Sequence, residues 1–342
     1  MLVLLMGTLR KVGYEFFYLS HVAGFTAAVI LTALHRPDWA KKLNVVMLFI
    51  TGMWLSDRII RGLRMASNSV NNYATFYALP GGGVRILLRK SDAEVALPGS
   101  HCFLWVPKIR LFETHPFTIV SNGPSGLELV MKPYQGFTKA VSSFAAQHHR
   151  HTSWASFDGP YGSCPKAEKY DKLILIAGGS GAAFTFGLMN RLLNSFDSSE
   201  FPDVEFVWAM KRKEQILWFH EHLNKMANLD TTELASVGTE DQTGIEHGLL
   251  SSVDILTYRA INKTNEMPPE TVGDITGHNL SINHTRLNIE VVIGEGVRTA
   301  KSGQRLLVAA CGPESLVNGV RDSAETWQSK RDFMIDVHCE YF

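Results

Sequence analysis

The 342-residue sequence has few charged residues and few cysteines. Charged residues make up 19% of it, below the roughly 25% typical of soluble domains, and the 33 basic and 33 acidic residues leave no net charge. This balance excludes a polybasic nucleic-acid binder, and the 45% of hydrophobic residues excludes an intrinsically disordered chain. The four cysteines have neither the CxxC spacing of a metal site nor the density of a secreted disulfide scaffold. We therefore expect a reducing compartment for this part of the chain.

Apolar residues are concentrated at the start of the sequence. Three apolar runs, residues 1–9, 14–34 and 43–55, precede a region with the composition of an ordinary soluble α/β protein. The second run has 21 residues and no charge after Glu15, which is enough to cross a bilayer core of about 30 Å. The third run has 13 residues and is short for a span, although the tryptophan and basic residues near its ends could reach the interfaces. We predict partial membrane helices over residues 1–66.

The basic residues predict how these helices are oriented. Five lie before the second run or after the third, and three lie in the loop that connects the two runs. Because basic residues favour the cytosolic side of a membrane, we expect the region after Arg58 to lie in the cytosol. The cofactor motifs of that region favour the same placement. The chain is therefore predicted to be a multi-pass membrane protein.

Two histidines fourteen residues apart belong to this segment: His21 lies inside the long apolar run and His35 directly follows it. In a helix this spacing puts the two rings about 40° apart around the axis and about 21 Å apart along it. The arrangement suits two haems stacked across a membrane, each of which takes one imidazole from this helix. The alternative is a pair of interfacial histidines that form local hydrogen bonds, and the spacing leaves both interpretations open.

The region after residue 66 has two successive patterns. Over residues 67–165, short apolar stretches alternate with Gly, Pro and Asn, which predicts a small antiparallel β-barrel. Over residues 166–342 the pattern is strand, glycine turn and helix, which predicts an α/β doubly wound parallel sheet. A polar stretch at about 240–285, rich in Asn, Thr and Pro, is predicted to be an inserted, mobile loop.

The first turn of the α/β region has the composition of a nucleotide-binding turn. Gly178, Gly179 and Gly181 lie between a buried strand and a helix, where missing side chains let phosphates approach the backbone N–H groups. This is not a complete GxGxxG, and a tight turn without a ligand is the alternative. After the next strand, Lys211 and Arg212 stand where an NAD-specific site would carry an acid, which favours NADPH over NADH. A solvated strand end is the alternative there.

Five short motifs follow one another along the chain. They are HPFT at 115–118 with Ser121, Lys132 with GFT at 136–138, DGPYG at 158–162, GGSG at 178–181 and CGP at 311–313. The order of these motifs resembles that in the ferric reductase and NADPH oxidase family of transmembrane flavocytochromes. Within that family the sequence is most similar in type to the fungal ferric-chelate reductases, or metalloreductases. The resemblance implies membrane α-helices followed by a ferredoxin-reductase-like module. That module consists of an antiparallel β-barrel FAD domain and an α/β doubly wound NADP-binding domain.

The resemblance assigns an FAD site to the barrel. Pro116 and Thr118 would hold the isoalloxazine and the ribityl chain, and Lys132 would meet the pyrophosphate. The residues expected to bind FAD are His115, Pro116, Phe117, Thr118, Ser121, Lys132, Gly136, Phe137 and Thr138.

The resemblance also assigns an NADPH site. The phosphates and the nicotinamide end would be received by Gly159, Pro160, Tyr161, Gly162, Gly178, Gly179, Ser180 and Gly181. Lys211 or Arg212 would bind the 2′-phosphate, and the choice between them stays open. Near the nicotinamide the resemblance places Cys311, Gly312 and Pro313. Cys311 is a catalytic candidate, with a buried small apolar residue as the alternative. Phe342, the second catalytic candidate, would cover the flavin until nicotinamide displaces it.

The resemblance strengthens the haem interpretation, in which His21 and His35 are axial ligands of haem b. NADPH delivers two electrons as a hydride and haem iron accepts one at a time, so FAD must stand between them. The expected partners are the lipid bilayer, in the plasma membrane, and a ferric or cupric chelate or a siderophore as electron acceptor outside it. No nucleic-acid partner is expected, and a homo-oligomer is left open.

Three interpretations stay open. The chain is a metalloreductase, or an NADPH oxidase that makes superoxide, or a membrane remnant with NADPH–dye reductase activity alone. In the family each haem takes a second histidine from an earlier helix, and this sequence begins after that helix. We therefore expect an N-terminally truncated sequence in which the haem sites are incomplete.

Overall fold

Two compact units, residues 1–67 and residues 68–342, make up the structure, which is a computed structural model. The structure describes residues 14–35, 40, 42–89, 96–111, 113–148, 150–196, 201–227, 253–260, 280–285, 287–330 and 334–341.

Two apolar helices form the first unit, α1 Tyr14–Leu34 and α2 Leu43–Ser67. The bounds of α1 are those of the predicted long run. Helix α2 continues beyond the predicted third run and reaches 25 residues, so the run that looked short for a span is part of a longer helix. Among the described residues, α2 is the helix whose length and composition suit a membrane crossing. The two helices contact each other through Phe25 and Trp54, whose ring centroids lie 6.2 Å apart.

The second unit begins with a curled antiparallel sheet. Its strands are β1 Tyr73–Ala78, β2 Val84–Arg89, β3 His101–Trp105, β4 His115–Gly123, β5 Gly126–Met131, β6 His151–Trp154 and β7 Ser156–Tyr161. They are ordered β6–β1–β2–β5–β4–β3–β7. The order has two ends, β6 and β7, so the described strands form a half-barrel where the sequence predicted a barrel.

Alternating apolar side chains form the core of the half-barrel. In β2, Val84, Ile86 and Leu88 are buried while the residues between them are partly exposed, as expected for a strand with one face on a core. Helix α3, Phe137–Gln147, covers this core with buried residues spaced four apart, which share one face of a helix.

The second sheet is the predicted α/β sheet. Its strands are β8 Lys172–Gly178, β9 Asp203–Met210, β10 Val253–Ala260, β11 Leu280–Thr285, β12 Leu306–Gly312 and β13 Ile335–Tyr341. The order is β11–β10–β9–β8–β12–β13, and β9, β8, β12 and β13 are parallel to one another. Its helices are α4 Ala182–Ser195, α5 His220–Ala227, α6 Ile289–Thr299 and α7 Glu314–Lys330.

The parallel strands are buried on both faces. Every residue of β8 is buried, and its side chains alternate between two cores. Leu173 and Leu175 lie in the core that contains α4, while Ile174 and Ile176 lie in the core formed with α6 and α7. The sheet is therefore covered by helices on both sides, as a doubly wound sheet requires.

Strands β10 and β11 lie in the range that the sequence analysis predicted as a loop. Strand β10 pairs antiparallel with β9 from Asp254 to Ala260, and β11 pairs antiparallel with β10. Ile255 and Leu256 are buried in this pairing, and the burial of their apolar side chains stabilises the strand. Residues 253–260 and 280–285 are thus strands, and the rest of the range predicted as a loop lies outside the described residues.

The half-barrel and the α/β sheet share an apolar interface. Val120 and Val130 of the half-barrel belong to the same core as α4. At Gly187 of α4, an added Cβ would lie 2.4 Å from the backbone nitrogen of Gly99, so no larger residue fits without moving one of the two backbones. The same Cβ would lie 3.0 Å from the Ile119 carbonyl oxygen of β4, so α4 packs closely against this strand.

Candidate functional site

One face of the half-barrel carries a cluster of rings beside two residues predicted to hold the flavin. Thr118 of β4 pairs with His101 of β3, and Pro116 pairs with Phe103. On the other side of β3, His101 pairs with Tyr161. The rings of His101, Phe103 and Tyr161 have centroids 5.8–6.1 Å apart. We call these five residues the ring platform, and a flat aromatic ring system such as isoalloxazine fits such a surface.

His115 and Phe117 lie on the opposite face of β4. The ring of His115 stacks on Phe137 with centroids 4.3 Å apart, and Phe117 lies 6.1 Å from the same ring. Phe137 is almost fully buried in the core of the half-barrel. Because side chains alternate along a strand, His115 and Phe117, both partly exposed, pack on Phe137 on the face of β4 opposite the platform.

The start of α3 has the features of a phosphate site. Gly136 has φ +60°, and no side chain in the described part of the chain caps the first turn of the helix. The Thr138 hydroxyl accepts a hydrogen bond from the Tyr134 N–H at 2.9 Å and orders the preceding loop. Backbone N–H groups at a helix start, with Lys132 nearby in sequence, could hold a pyrophosphate.

Lys132 is close to the two basic residues predicted to bind a 2′-phosphate. Burial lowers the pKa of Lys132, and the charges of Lys211 and Arg212 lower it further. Arg212 is held by a hydrogen bond in which its Nη2 donates to the Gly81 carbonyl of the half-barrel at 2.8 Å. Lys132 of the half-barrel thus lies close to Lys211 and Arg212 of the α/β domain. Of the last two, Arg212 is hydrogen-bonded to the half-barrel.

The glycine turn after β8 meets the CGP motif after β12. Gly178–Gly181 ends β8 and precedes α4, and an added Cβ at Gly181 would lie 2.2 Å from the Cys311 carbonyl oxygen. An added Cβ at Gly178 would lie 2.9 Å from the Pro313 ring. Gly179 has φ +56° and open space where a Cβ would stand, and its carbonyl accepts a 2.9 Å hydrogen bond from Trp208 Nε1. The open position at Gly179 is a cradle that a nucleotide phosphate could occupy.

Residues 159–162 lie at the ring platform. Gly162 has φ +94°, and an added Cβ there would lie 3.0 Å from His101 Nδ1. The Tyr161 hydroxyl donates to Asp158 Oδ1 at 2.8 Å, which fixes its ring beside His101. The structure therefore groups this motif with the predicted flavin residues Pro116 and Thr118.

The carboxyl end of the α/β sheet lies near the platform. Glu340 of β13 is opposite Cys311 in the register of the two parallel strands. A hydrogen bond from His338 at 3.1 Å lowers the pKa of Glu340, and His101 of the platform lowers it further against the opposing effect of burial. Burial raises the pKa of the Cys311 thiol to about 12, so the thiol stays protonated at neutral pH. The two sheets thus bring their candidate residues close together, and we call the region where the ring platform faces this edge of the α/β sheet the cleft.

Some predicted residues remain apart from this cleft or outside the described part of the chain. Ser121 lies past a register shift in β4, and its hydroxyl donates to Glu128 Oε2 at 2.7 Å. Phe342 lies outside the described residues. His21 lies on α1 with its ring 5.6 Å from Phe17, and His35 follows the last residue of α1, its N–H donating to the Leu31 carbonyl.

Four residues at the cleft were missed from the sequence: His101, Phe103, His338 and Glu340. The alternation in HCFLW could have placed His101 and Phe103 on one face, but nothing in it distinguishes that face from the core face. His338 and Glu340 alternate in the same way along β13, and their role depends on the half-barrel that faces them.

Two protein-family models match the chain. The model of an FAD-binding domain matches residues 68–165, and the model of the ferric reductase NAD binding domain matches residues 170–325. A solved structure of ferredoxin–NADP+ reductase from Plasmodium falciparum with 2′P-AMP is 13% identical, covers 80% of this chain and 97% of that one, and has a TM-score of 0.47.

The chain is also similar to several characterised proteins. Ferric reductase transmembrane component 5 of Saccharomyces cerevisiae is 24% identical over 322 residues, which are 90% of this chain and 43% of that protein. Putative respiratory burst oxidase homolog protein G of Arabidopsis thaliana is 21% identical over 384 residues, 99% of this chain and 44% of that protein. The chain therefore spans less than half the length of these relatives. It carries the FAD-binding domain and the ferric reductase NAD binding domain, which confirms its resemblance to the ferric reductase family.

Proposed function

We propose that this chain is a membrane-bound oxidoreductase that passes electrons from NADPH to FAD and then through haem to an acceptor outside the membrane. The proposed acceptor is a ferric or cupric chelate or a siderophore. The observation that carries the proposal is the cleft, where the ring platform of one domain lies near the Cys311–Glu340 edge of the other. Relatives named ferric reductase transmembrane components support the choice of acceptor.

Different residues of the cleft would hold the two cofactors, FAD and NADPH. When bound, FAD would take a hydride from NADPH and release its electrons singly. His101, Phe103 and Tyr161 would pack against its ring system, and the Thr118 hydroxyl would donate to the ring. Cys311 would give the nicotinamide a small apolar surface, because a thiol with a pKa of about 12 keeps its proton at neutral pH and does not form the nucleophilic thiolate.

Lys211 is the residue we propose for the 2′-phosphate of NADPH. The sequence left Lys211 and Arg212 as alternatives, but Arg212 is engaged with the Gly81 carbonyl. Lys211 directly follows the last residue of β9, and its positive charge lowers the pKa of Lys132. An anion bound beside Lys211 would therefore reduce the repulsion between these two lysines. This arrangement favours NADPH over NADH.

His21 and His35 are the proposed axial ligands of haem b in this chain. Both side chains are exposed in the described unit, and His35 lies just past the end of α1 instead of inside it. His21 lies in the first half of α1 and His35 directly after its last residue, and this separation suits one haem near each leaflet. We propose a multi-pass arrangement in the plasma membrane, with the two cofactor domains in the cytosol.

The test uses the full chain in a host without surface ferric reductase of its own. Membranes are given NADPH, and dye reduction, ferric-chelate reduction and superoxide are measured in parallel. Gly179→Glu puts a carboxylate into the proposed phosphate cradle, and we expect it to abolish NADPH–dye reduction. Gly303→Glu is the matched control, because Gly303 also has a positive φ and open space beside it but lies in a turn between α6 and β12.

Each outcome of this test distinguishes one interpretation. Ferric-chelate reduction without superoxide supports the metalloreductase, and superoxide alone supports an oxidase. Absence of bound flavin and of NADPH–dye reduction in the wild-type chain would overturn the proposal. Equal loss of activity in the Gly179 and Gly303 variants would show that backbone strain, and not a phosphate site, explains the effect.

A further inference from the structure

A polar network with a buried centre joins the two cofactor domains. From the half-barrel it contains Arg85, Ser121 and Glu128, and from the α/β domain Asn190, His222 and, at its exposed end, Glu221. Glu128, Asn190 and His222 are each at most 5% exposed. Buried ionisable groups are costly unless they are paired, so this network needs an explanation beyond surface solvation.

Glu128 is the centre of the network. Its Oε2 accepts hydrogen bonds from Ser121 Oγ at 2.7 Å and from His222 Nε2 at 2.9 Å, and its Oε1 lies 3.4 Å from Arg85 Nε. Burial acts to raise the pKa of Glu128, but the hydrogen bond and charge of His222, with Ser121 and Arg85, bring the pKa below its ordinary value. The carboxylate is therefore ionised at neutral pH.

The His222 ring is held from both domains. The Asn190 side-chain amide donates to the Val120 carbonyl at 2.8 Å, which fixes its orientation and turns its oxygen toward His222. That oxygen lies 3.1 Å from His222 Nδ1, while Nε2 lies 2.9 Å from Glu128 Oε2. One side of the ring is thus held by the half-barrel and the other by α4 of the α/β domain.

The elements of the network are the ones that carry the candidate site. Strand β4 carries Pro116 and Thr118 of the ring platform and, further along, Val120 and Ser121. Helix α4 begins at the glycine turn 178–181 and carries Asn190, and α5 with His222 follows β9 and Lys211. A shift of His222 relative to Glu128 would therefore move the nucleotide turn relative to the flavin platform.

We propose that His222 is the positioning residue of the domain interface: its ring, held between Glu128 and Asn190, aligns the nicotinamide site with the flavin site. The proposal rests on the proposed transfer of a hydride from NADPH to FAD. A misalignment of about 1 Å between reacting groups can slow a reaction about 100-fold, so a pair that fixes two domains influences the rate without touching either cofactor.

The experiment uses the full chain, purified in detergent and loaded with FAD, with stopped-flow measurement of flavin reduction at saturating NADPH. His222→Gln removes the ring and one of its two contacts, and Glu128→Gln removes the carboxylate charge while keeping the size of the side chain. We expect flavin content and the KM for NADPH to stay the same and the reduction rate to fall about tenfold to 100-fold in each variant. A merely structural role would instead change flavin content. The matched control is His220→Gln, an exposed histidine that bonds to Asn224 on the same helix.

Every result decides between this role and its alternatives. Wild-type rates in both variants, with wild-type flavin reduced normally, would overturn the positioning role alone. Loss of FAD from both variants would show that the network serves folding and would also overturn it. Failure of NADPH to reduce the flavin of the wild-type chain would overturn the proposed function, and this role with it. If His222→Gln alone fails to hold FAD, the reduction rate of Glu128→Gln decides: a reduced rate supports the positioning role and a wild-type rate overturns it.

Discussion

Lys211 and Arg212 are adjacent in sequence but are predicted to respond differently to substitution. Lys211→Ala removes the cation proposed for the 2′-phosphate, and a hydrogen bond to a charged group contributes about 1.5–3 kcal/mol. That free energy corresponds to about a tenfold to 100-fold rise in the KM for NADPH. The KM for NADH should stay the same, because NADH has no 2′-phosphate.

Arg212→Ala removes the hydrogen bond to the Gly81 carbonyl instead. Because both partners are near the surface, we expect a loss of about 1 kcal/mol in the free energy of unfolding and little change in the ratio of the two KM values. Either substitution should also raise the pKa of Lys132, since each removes one of the charges that lower it.

The assay compares dye reduction with NADPH and with NADH for the two variants and the wild-type chain, with thermal unfolding as the measure of stability. Equal losses for NADPH and NADH in Lys211→Ala would refute the assignment of the 2′-phosphate. A selective loss for NADPH in Arg212→Ala, with Lys211→Ala unaffected, would reverse the roles of the two residues.

Two further predictions concern the ring platform and the buried thiol. Phe103→Ala removes one ring of the platform and should weaken FAD binding about threefold to tenfold in a flavin fluorescence titration; unchanged affinity would mean that the flavin binds elsewhere. The pKa of Cys311 is raised from 9.0 to about 12, so the folded chain should resist iodoacetamide at Cys311 at pH 8, and rapid alkylation seen by peptide mass spectrometry would contradict the burial of the thiol. Because the pKa of Cys311 is higher in the folded chain than in the unfolded chain, burial of the protonated thiol stabilises the fold fully below pH 9. This stabilisation declines as the pH rises from 9 toward 12. The Cys311→Ala variant should show a smaller loss of stability over that pH range.

The sequence predicted those parts of the fold whose signal is local. Helix α1 has the bounds of the uncharged apolar run, and the buried strand followed by glycines and a helix is present as β8, the turn 178–181 and α4. Strand β10 was missed because its surroundings in the sequence are polar, and only the neighbouring strand β9 gives Ile255 and Leu256 a surface on which to be buried.

The candidate site was predicted less completely, because contacts between distant residues decide it. The HPFT motif names four consecutive residues, but a strand turns alternate side chains to opposite faces, so Pro116 and Thr118 lie on the platform and His115 and Phe117 do not. Glu128 and His222 are 94 residues apart, and neither lies in a recognisable motif. A pairing of this kind leaves no periodic signal in the sequence.

The proposed reaction requires that NADPH reduce FAD in the cleft between the two domains. The most direct measurement is the anaerobic bleaching of the oxidised flavin absorbance of the FAD-loaded full chain on mixing with NADPH, followed by stopped flow beside Gly179→Glu and Gly303→Glu. We predict rapid bleaching in the wild-type chain and in Gly303→Glu and none in Gly179→Glu. A flavin that binds but is not bleached by NADPH in the wild-type chain, or bleaching that persists in Gly179→Glu, would contradict the account.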